Sequence, residues 1–169
     1  MCNPTPEEVS DMAMRCEIYQ CETCGQPIRF PRYNSVVKLL ETRTGRCGEW
    51  ANCFTGMVIA LGHEARFVVD WTDHVWTEVW MEVENRWVHM DPCENAYDAP
   101  KMYEKGWGKR LTYVIAVSTK EVVDVTPRYI VNHAGNRFRR TEVPEAWLKQ
   151  VLGQVRKRLL FGQTNETIA

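Results

Sequence analysis

The chain has 169 residues, 44% of them hydrophobic and 25% charged, with 21 basic and 22 acidic side chains giving a net charge of -1. That balance suits one globular domain and excludes a disordered tail or a collagen-like fibre, and it argues against a general nucleic-acid binder. No apolar run approaches membrane length and the first residues lack a basic, apolar leader, so a cytoplasmic protein with no membrane partner is expected.

Seven cysteines, an odd number with no secretion signal, point to free thiols, metal ligands or a nucleophile instead of a disulfide scaffold. Of seven tryptophans, four fall between Trp71 and Trp87, which suits either a core of large packing units or flat surfaces for a sugar or peptide.

Residues 1–20 are polar, with no clear period before Ile18 and Tyr19. Cys21-Glu-Thr-Cys24-Gly25 is a knuckle in which two thiolates could share a metal ion. Pro27, Pro31, Tyr33 and Asn34 predict an irregular connection, and Val36 to Leu40 a short helix stopped by Gly45. Cys47, Trp50, Phe54, Met57, Val58 and Leu61 recur at helical spacing, predicting a helix over 47–61 whose core-facing side carries Cys47 at its first turn, with Gly62 as the stop.

Strands are predicted at 66–71 and at 74–82, where His74, Trp76, Glu78 and Trp80 share one face. A third strand, 87–91, puts Trp87, His89 and Asp91 on one face. Residues 92–110 read as a long loop, 111–117 and 121–126 as a hairpin, and 144–161 as an amphipathic helix. Trp147, Leu148, Val151, Leu152, Val155 and Leu159 form its apolar side; Lys149, Arg156, Lys157 and Arg158 its basic one. Helices before an antiparallel sheet give an α+β fold.

Cys47 is the chemical focus. At a helix N-terminus the free N–H groups and the macrodipole favour a thiolate, and its own N–H can help form an oxyanion hole. A buried inert thiol is the competing reading, and it describes Cys53 better. A nucleophilic thiolate needs an imidazole, and the imidazole an orienting carboxylate. A hairpin turning between Glu82 and Val83 would set His74 opposite Asp91; a turn at Glu84-Asn85 shifts the pairing but keeps the faces. His89 is a competing base, and Asp70, Asp73 and Asp124 are competing carboxylates.

Arg46-Cys-Gly-Glu-Trp-Ala-Asn-Cys-Phe54, Asp70-Trp-Thr-Asp-His-Val-Trp-Thr-Glu-Val79 and Asp91-Pro-Cys-Glu94 closely resemble the cytoplasmic peptide:N-glycanase family, a branch of the transglutaminase-like superfamily. The resemblance runs from about Tyr19 to Leu152 and includes Arg29–Asn34, Leu39–Arg43 and Gly106–Lys109. It implies a papain-like, transglutaminase-like α+β core in which Cys47 attacks, His74 is the base and Asp91 orients it. It also implies hydrolysis of the amide between an N-glycan and an Asn side chain of denatured glycoproteins, in the cytosol, before the proteasome. Trp76, Glu78, Trp87 and Glu94 flank that trio and are candidate sugar contacts; packing tryptophans and charge-paired acids are the alternative.

The family carries a structural zinc on two Cys-x-x-Cys knuckles. Cys21 and Cys24 match one of them and the other is missing, which suggests a fragment, with completion by Cys2 or Cys16 as the weaker alternative. On this reading residues 1–34 are a partial zinc-knuckle lobe, 35–130 the catalytic core and 131–169 a C-terminal helical segment of the same domain. Pro127 stands where relatives usually have Trp and is expected to end its strand early. The resemblance implies that the C-terminal helix can help bind a proteasome-shuttle protein; a solvated basic surface is the preferred alternative. A thiol protease, a crosslinking transglutaminase and a non-catalytic binding module remain rival functions.

Overall fold

The computed structural model describes the backbone of residues 1–166 and the side chains of residues 1–161. Its centre is a six-stranded antiparallel sheet built from β3 (Ala65–Asp70), β4 (His74–Met81), β5 (Arg86–Asp91), β6 (Ala96–Tyr97), β7 (Val114–Val117) and β8 (Val122–Asp124), in the order β6-β5-β4-β3-β7-β8. The predicted strands and final hairpin are therefore present. Residues 92–110 are less irregular than expected, since they contribute β6 and a helical turn, α4 (Met102–Lys105).

Sheet alternation sorts the core into two layers. Val79 of β4 packs with Val58 and Ala65, with Phe54, Met81 and Met90 around them, beneath the helix α3 (Cys47–Ala60). Trp76, on the opposite face of β4, packs with Val68, Tyr103, Leu111, Val114, Ala116, Val125, Tyr129 and Ile130. Val68 belongs to β3, and the others come from β7, α4, the short helix α5 (Thr126–Tyr129) and their connections.

α3 starts and stops where the spacing predicts, but of the expected stripe it buries Val58 and packs Phe54 on the core while leaving others outside. Ala51, Thr55 and Val58 face the sheet, and the Thr55 hydroxyl bonds that of Thr77 on β4 at 2.8 Å. Trp50 and Met57 are instead 40% exposed and Leu61 76%. Small residues at 51 and 55 let the helix lie close to the strand, which the larger apolar side chains could not allow.

The helix α2 (Val36–Thr42) stops at Arg43, which adopts a left-handed conformation (φ 51°), two residues ahead of the expected Gly45. Near the N-terminus the structure holds more order than the sequence suggests. A helical turn, α1 (Pro6–Ser10), is capped by Thr5, and β1 (Cys16–Gln20) pairs with β2 (Pro27–Pro31) where an irregular connection was predicted. Prolines at both ends of β2 are tolerated because it is an edge strand of a two-stranded ribbon.

β8 ends at Asp124, and Pro127 lies in the first turn of α5, where a missing N–H costs nothing. Two further helices follow, α6 (His133–Arg139) and α7 (Glu145–Glu166). Leu148, Val151, Leu152, Val155 and Leu159 of α7 are half-buried and the helix packs on β8, but Trp147, assigned to the same apolar side, is exposed. Among the described residues no helix is long and apolar enough to cross a membrane.

Candidate active site

The first turn of α3 is shaped by Glu49. Its carboxylate accepts the Arg46 N–H at 2.9 Å and a forked pair of bonds from Arg32, at 2.6 and 2.8 Å. A negative group in the first turn suits the positive end of the helix dipole, and the buried fork anchors that turn to the chain following β2. Cys47 is the first residue of the helix and is half-buried.

The Cys47 thiol lies against His74, the first residue of β4, and the N–H groups of Gly48 and Val75 also face its sulfur. The bond to His74 lowers the thiol below its ordinary value, against the opposing effect of burial. His74 Nε2 in turn bonds Asp91 Oδ2 at 2.7 Å, and both side chains are buried. Burial works against a charged imidazole, but Asp91 and Cys47 outweigh it and raise His74 to about 9. Burial also opposes ionisation of Asp91, and the bonds from His74 and Tyr103 overcome it to leave the carboxyl below its usual range. With Nε2 engaged by Asp91, Nδ1 is the ring nitrogen left for the sulfur.

Of the competing residues, His89, Asp70 and Asp124 have other partners. His89 is fully buried, and burial lowers it to about 4, so it stays neutral. Asp70 bonds Thr72 and Lys109, and Asp124 bonds Thr126 and Arg140. Cys53 and Cys93 are both raised by burial, Cys93 to about 11 with Asp91 and Glu94 adding to the effect.

The expected sugar contacts divide. Trp76 and Glu78 are 0% exposed. Trp76 stacks on Tyr103 with ring centroids 4.4 Å apart, and Glu78 bonds Arg66 and Tyr129 at 2.6 Å each. Neither has a face to offer a ligand, so packing and charge pairing describe them. Trp87 is half-buried, with the Arg66 guanidinium 4.1 Å above its ring. Glu94 is exposed, and its N–H donates to Asp91 Oδ1.

Two aromatic residues at the site were not singled out by sequence spacing. Trp107 is 43% exposed with its ring 5.0 Å from that of His74, and Tyr103 is fully buried with its hydroxyl 2.8 Å from Asp91. Both come from the segment read as a loop, where no periodicity marks a buried position.

Cys21 and Cys24 sit in the turn joining β1 to β2, closed by Gly25 at φ 72° and by a Gly25 N–H to Cys21 carbonyl bond. Cys2 pairs with Cys16 at the far end of β1, a strand length of roughly 16 Å away. They do not complete the knuckle, and among the described residues no three Cys, His, Asp or Glu side chains gather as a metal site would require. Two thiols do not fit a closed structural zinc, which takes four ligands.

An antiparallel sheet carrying a Cys-His-Asp cluster at the start of a packed helix defines a class. Residues 3–92 match the transglutaminase-like superfamily and residues 70–164 match the Rad4 transglutaminase-like domain. The chain belongs to the transglutaminase-like superfamily.

Its relatives are more specific. The chain is 54% identical to the peptide-N(4)-(N-acetyl-beta-glucosaminyl)asparagine amidase of Gallus gallus, over 92% of this chain and 24% of that protein. It is 52% identical to the amidase of the same name from Homo sapiens, over 96% and 25%, and 48% identical to that from Arabidopsis thaliana, over 95% and 23%. It thus spans about a quarter of the length of these curated relatives. Among solved structures, a Rad4-Rad23 complex bound to a 6-4 photoproduct UV lesion matches with a TM-score of 0.56 at 16% identity, over 96% of this chain and 41% of that one. At that identity the likeness shows the fold alone.

Proposed function

We propose that this chain is the catalytic core of a peptide:N-glycanase, which hydrolyses the amide joining an N-glycan to an Asn side chain. The observation that carries the reading is the contact of Cys47, at the start of α3, with a His74 held by Asp91 at 2.7 Å. The names of its relatives supply the substrate class.

Cys47 attacks the side-chain carbonyl carbon of the glycosylated Asn. The developing oxyanion is met by N–H groups at the start of α3. His74, protonated through its pairing with Asp91, gives its proton to the departing glycosylamine, and an aspartyl thioester remains on Cys47. Neutral His74 then takes a proton from water as it attacks the thioester, freeing an Asp and restoring the thiolate. Glu94 and Trp107, the exposed residues beside Asp91 and His74, are the side chains offered to the two core sugars.

Misfolded glycoproteins exported from the endoplasmic reticulum, cleaved in the cytosol ahead of the proteasome, are the substrates this reading implies. All seven cysteines are unpaired, as a reducing compartment would keep them. Cys21 and Cys24 are proposed as half of a zinc ligand set, with no role in the chemistry. The test is release of free glycan with conversion of the sugar-bearing Asn to Asp, abolished by Cys47→Ala. A cut backbone or a new isopeptide link in its place would indicate a thiol protease or a crosslinking enzyme.

A further inference from the structure

We propose that Tyr103, aligned by His89, is a positioning residue that fixes the Asp91 carboxylate on His74. The proposal deepens the reading of Cys47, His74 and Asp91 as the reacting set and rests on it.

The argument is one of hydrogen-bond direction. The Ala99 N–H donates to His89 Nδ1 at 3.3 Å, and a backbone amide can only donate. His89 Nδ1 therefore carries no proton, and the neutral ring bears its proton on Nε2. That nitrogen lies 2.6 Å from the Tyr103 hydroxyl, so the hydroxyl accepts from His89 and must send its own proton elsewhere. Asp91 Oδ2, at 2.8 Å, is the acceptor. The same oxygen accepts from His74 Nε2 at 2.7 Å, while Asp91 Oδ1 accepts the N–H groups of Cys93 at 3.0 Å and Glu94 at 3.2 Å. Every donor in this chain points toward the carboxylate, which fixes His74 with its proton on Nε2.

Packing holds the chain in place. Tyr103 and His89 are both fully buried. Tyr103 stacks on Trp76 and meets Trp107 edge-on at 5.1 Å. The charged groups that act on His89 are Asp91, Asp98, Arg128 and His74; those that act on Tyr103 include Asp91 and Glu94, with the Tyr129 hydroxyl beside them. Burial keeps His89 neutral across the working range, so its direction does not reverse. Without the Tyr103 hydroxyl, the His89 Nε2–H loses its acceptor in a dry site and competes for the Asp91 carboxylate, pulling it off His74.

The test follows the alkylation rate of Cys47 by iodoacetamide against pH, read at the Cys47 peptide by mass spectrometry, in the full chain. Tyr103→Phe keeps the ring and removes the hydroxyl. Its midpoint of reactivity is expected to rise by about one pH unit, because a less supported imidazolium stabilises the thiolate less. In an Asp91→Asn background the same substitution should add nothing, since Tyr103 acts through that carboxylate.

A folded Tyr103→Phe chain with an unchanged midpoint would overturn the proposal, as would an equal shift in the Asp91→Asn background. Should Tyr103→Phe not fold, His89 decides the matter. His89→Gln retains a donor near the Nε2 position and is expected to keep the midpoint, while His89→Met is expected to raise it. Equal midpoints in the two His89 variants would overturn the proposal. Glycan release is measured on the same samples. Its absence from the unsubstituted chain, with the midpoint shift present, would refute the amidase reading and leave the positioning role standing.

Discussion

His74 and Asp91 meet diagonally across two neighbouring strands. The β4–β5 ladder pairs Thr77 with Met90 and Met81 with Arg86, so neither residue has the other as its direct partner. The 2.7 Å bond is made from the first residue of one strand to the last of the next. His74 is paired with Asp70 of β3 and Asp91 with Ala96 of β6, so each end of the bond is anchored by a ladder and the imidazole is held without needing a loop to order itself.

In the proposed reaction that arrangement sets the pH profile of kcat/KM, because the mechanism needs Cys47 deprotonated and His74 protonated. It should rise with pH as the thiol, held below its ordinary value, ionises. It should fall again as His74 loses its proton at about pH 9. Asp91→Asn is expected to bring the alkaline limb down toward the ordinary histidine value, near pH 6.5. An alkaline limb already near that value in the unsubstituted chain would contradict the pairing.

Glu78 separates stability from substrate binding. It is completely buried and paired with Arg66 at 2.6 Å, and Arg66 is also buried. Glu78→Ala takes from Arg66 one of its two carboxylates, Glu121 remaining at 2.6 Å, and leaves the buried Tyr129 hydroxyl without its acceptor, which should cost about 1–3 kcal/mol in urea unfolding. The milder Glu78→Gln should lower stability with KM little changed. A raised KM at unchanged stability would restore Glu78 as a sugar contact.

His89 gives a signature in the pH dependence of folding. Its pKa is about 4 in the folded chain against an ordinary 6.5, so between those values the unfolded state binds the extra proton. Stability from this residue is complete above pH 6.5 and is lost as pH falls toward 4, by up to about 3 kcal/mol. His89→Gln should flatten that part of the urea-unfolding profile, and an identical slope in both proteins would show that His89 is not held neutral.

That Cys47, His74 and Asp91 come together was legible in part, because each stands at the boundary of a patterned element, but spacing left His89 and three other aspartates open and the family resemblance made the choice. The strand faces were legible, since alternation survives a two-residue change of register. That change is what separates the direct pairing of His74 with Asp91 from the diagonal one observed, in which Asn85 takes the left-handed turn position at φ 50°. Burial within a face was harder to see. Trp76 and Trp107 are the same residue type, yet one is sealed in the core and the other opens beside His74. Tyr103 escaped notice because a single helical turn is too short to show a period. On α3 the apolar spacing pointed to Trp50 and Met57, whereas close approach to β4 selected the small residues Ala51 and Thr55.

The most direct test of the account treats a heat-denatured N-glycoprotein with the chain and with Cys47→Ala under reducing conditions, zinc supplied. Mass spectrometry then follows the sugar-bearing Asn. Free glycan and Asp at that position, produced by the unsubstituted chain and absent with Cys47→Ala, is the expected result. An intact glycosylated Asn after treatment with a demonstrably folded chain would contradict it and favour a binding module on the same fold.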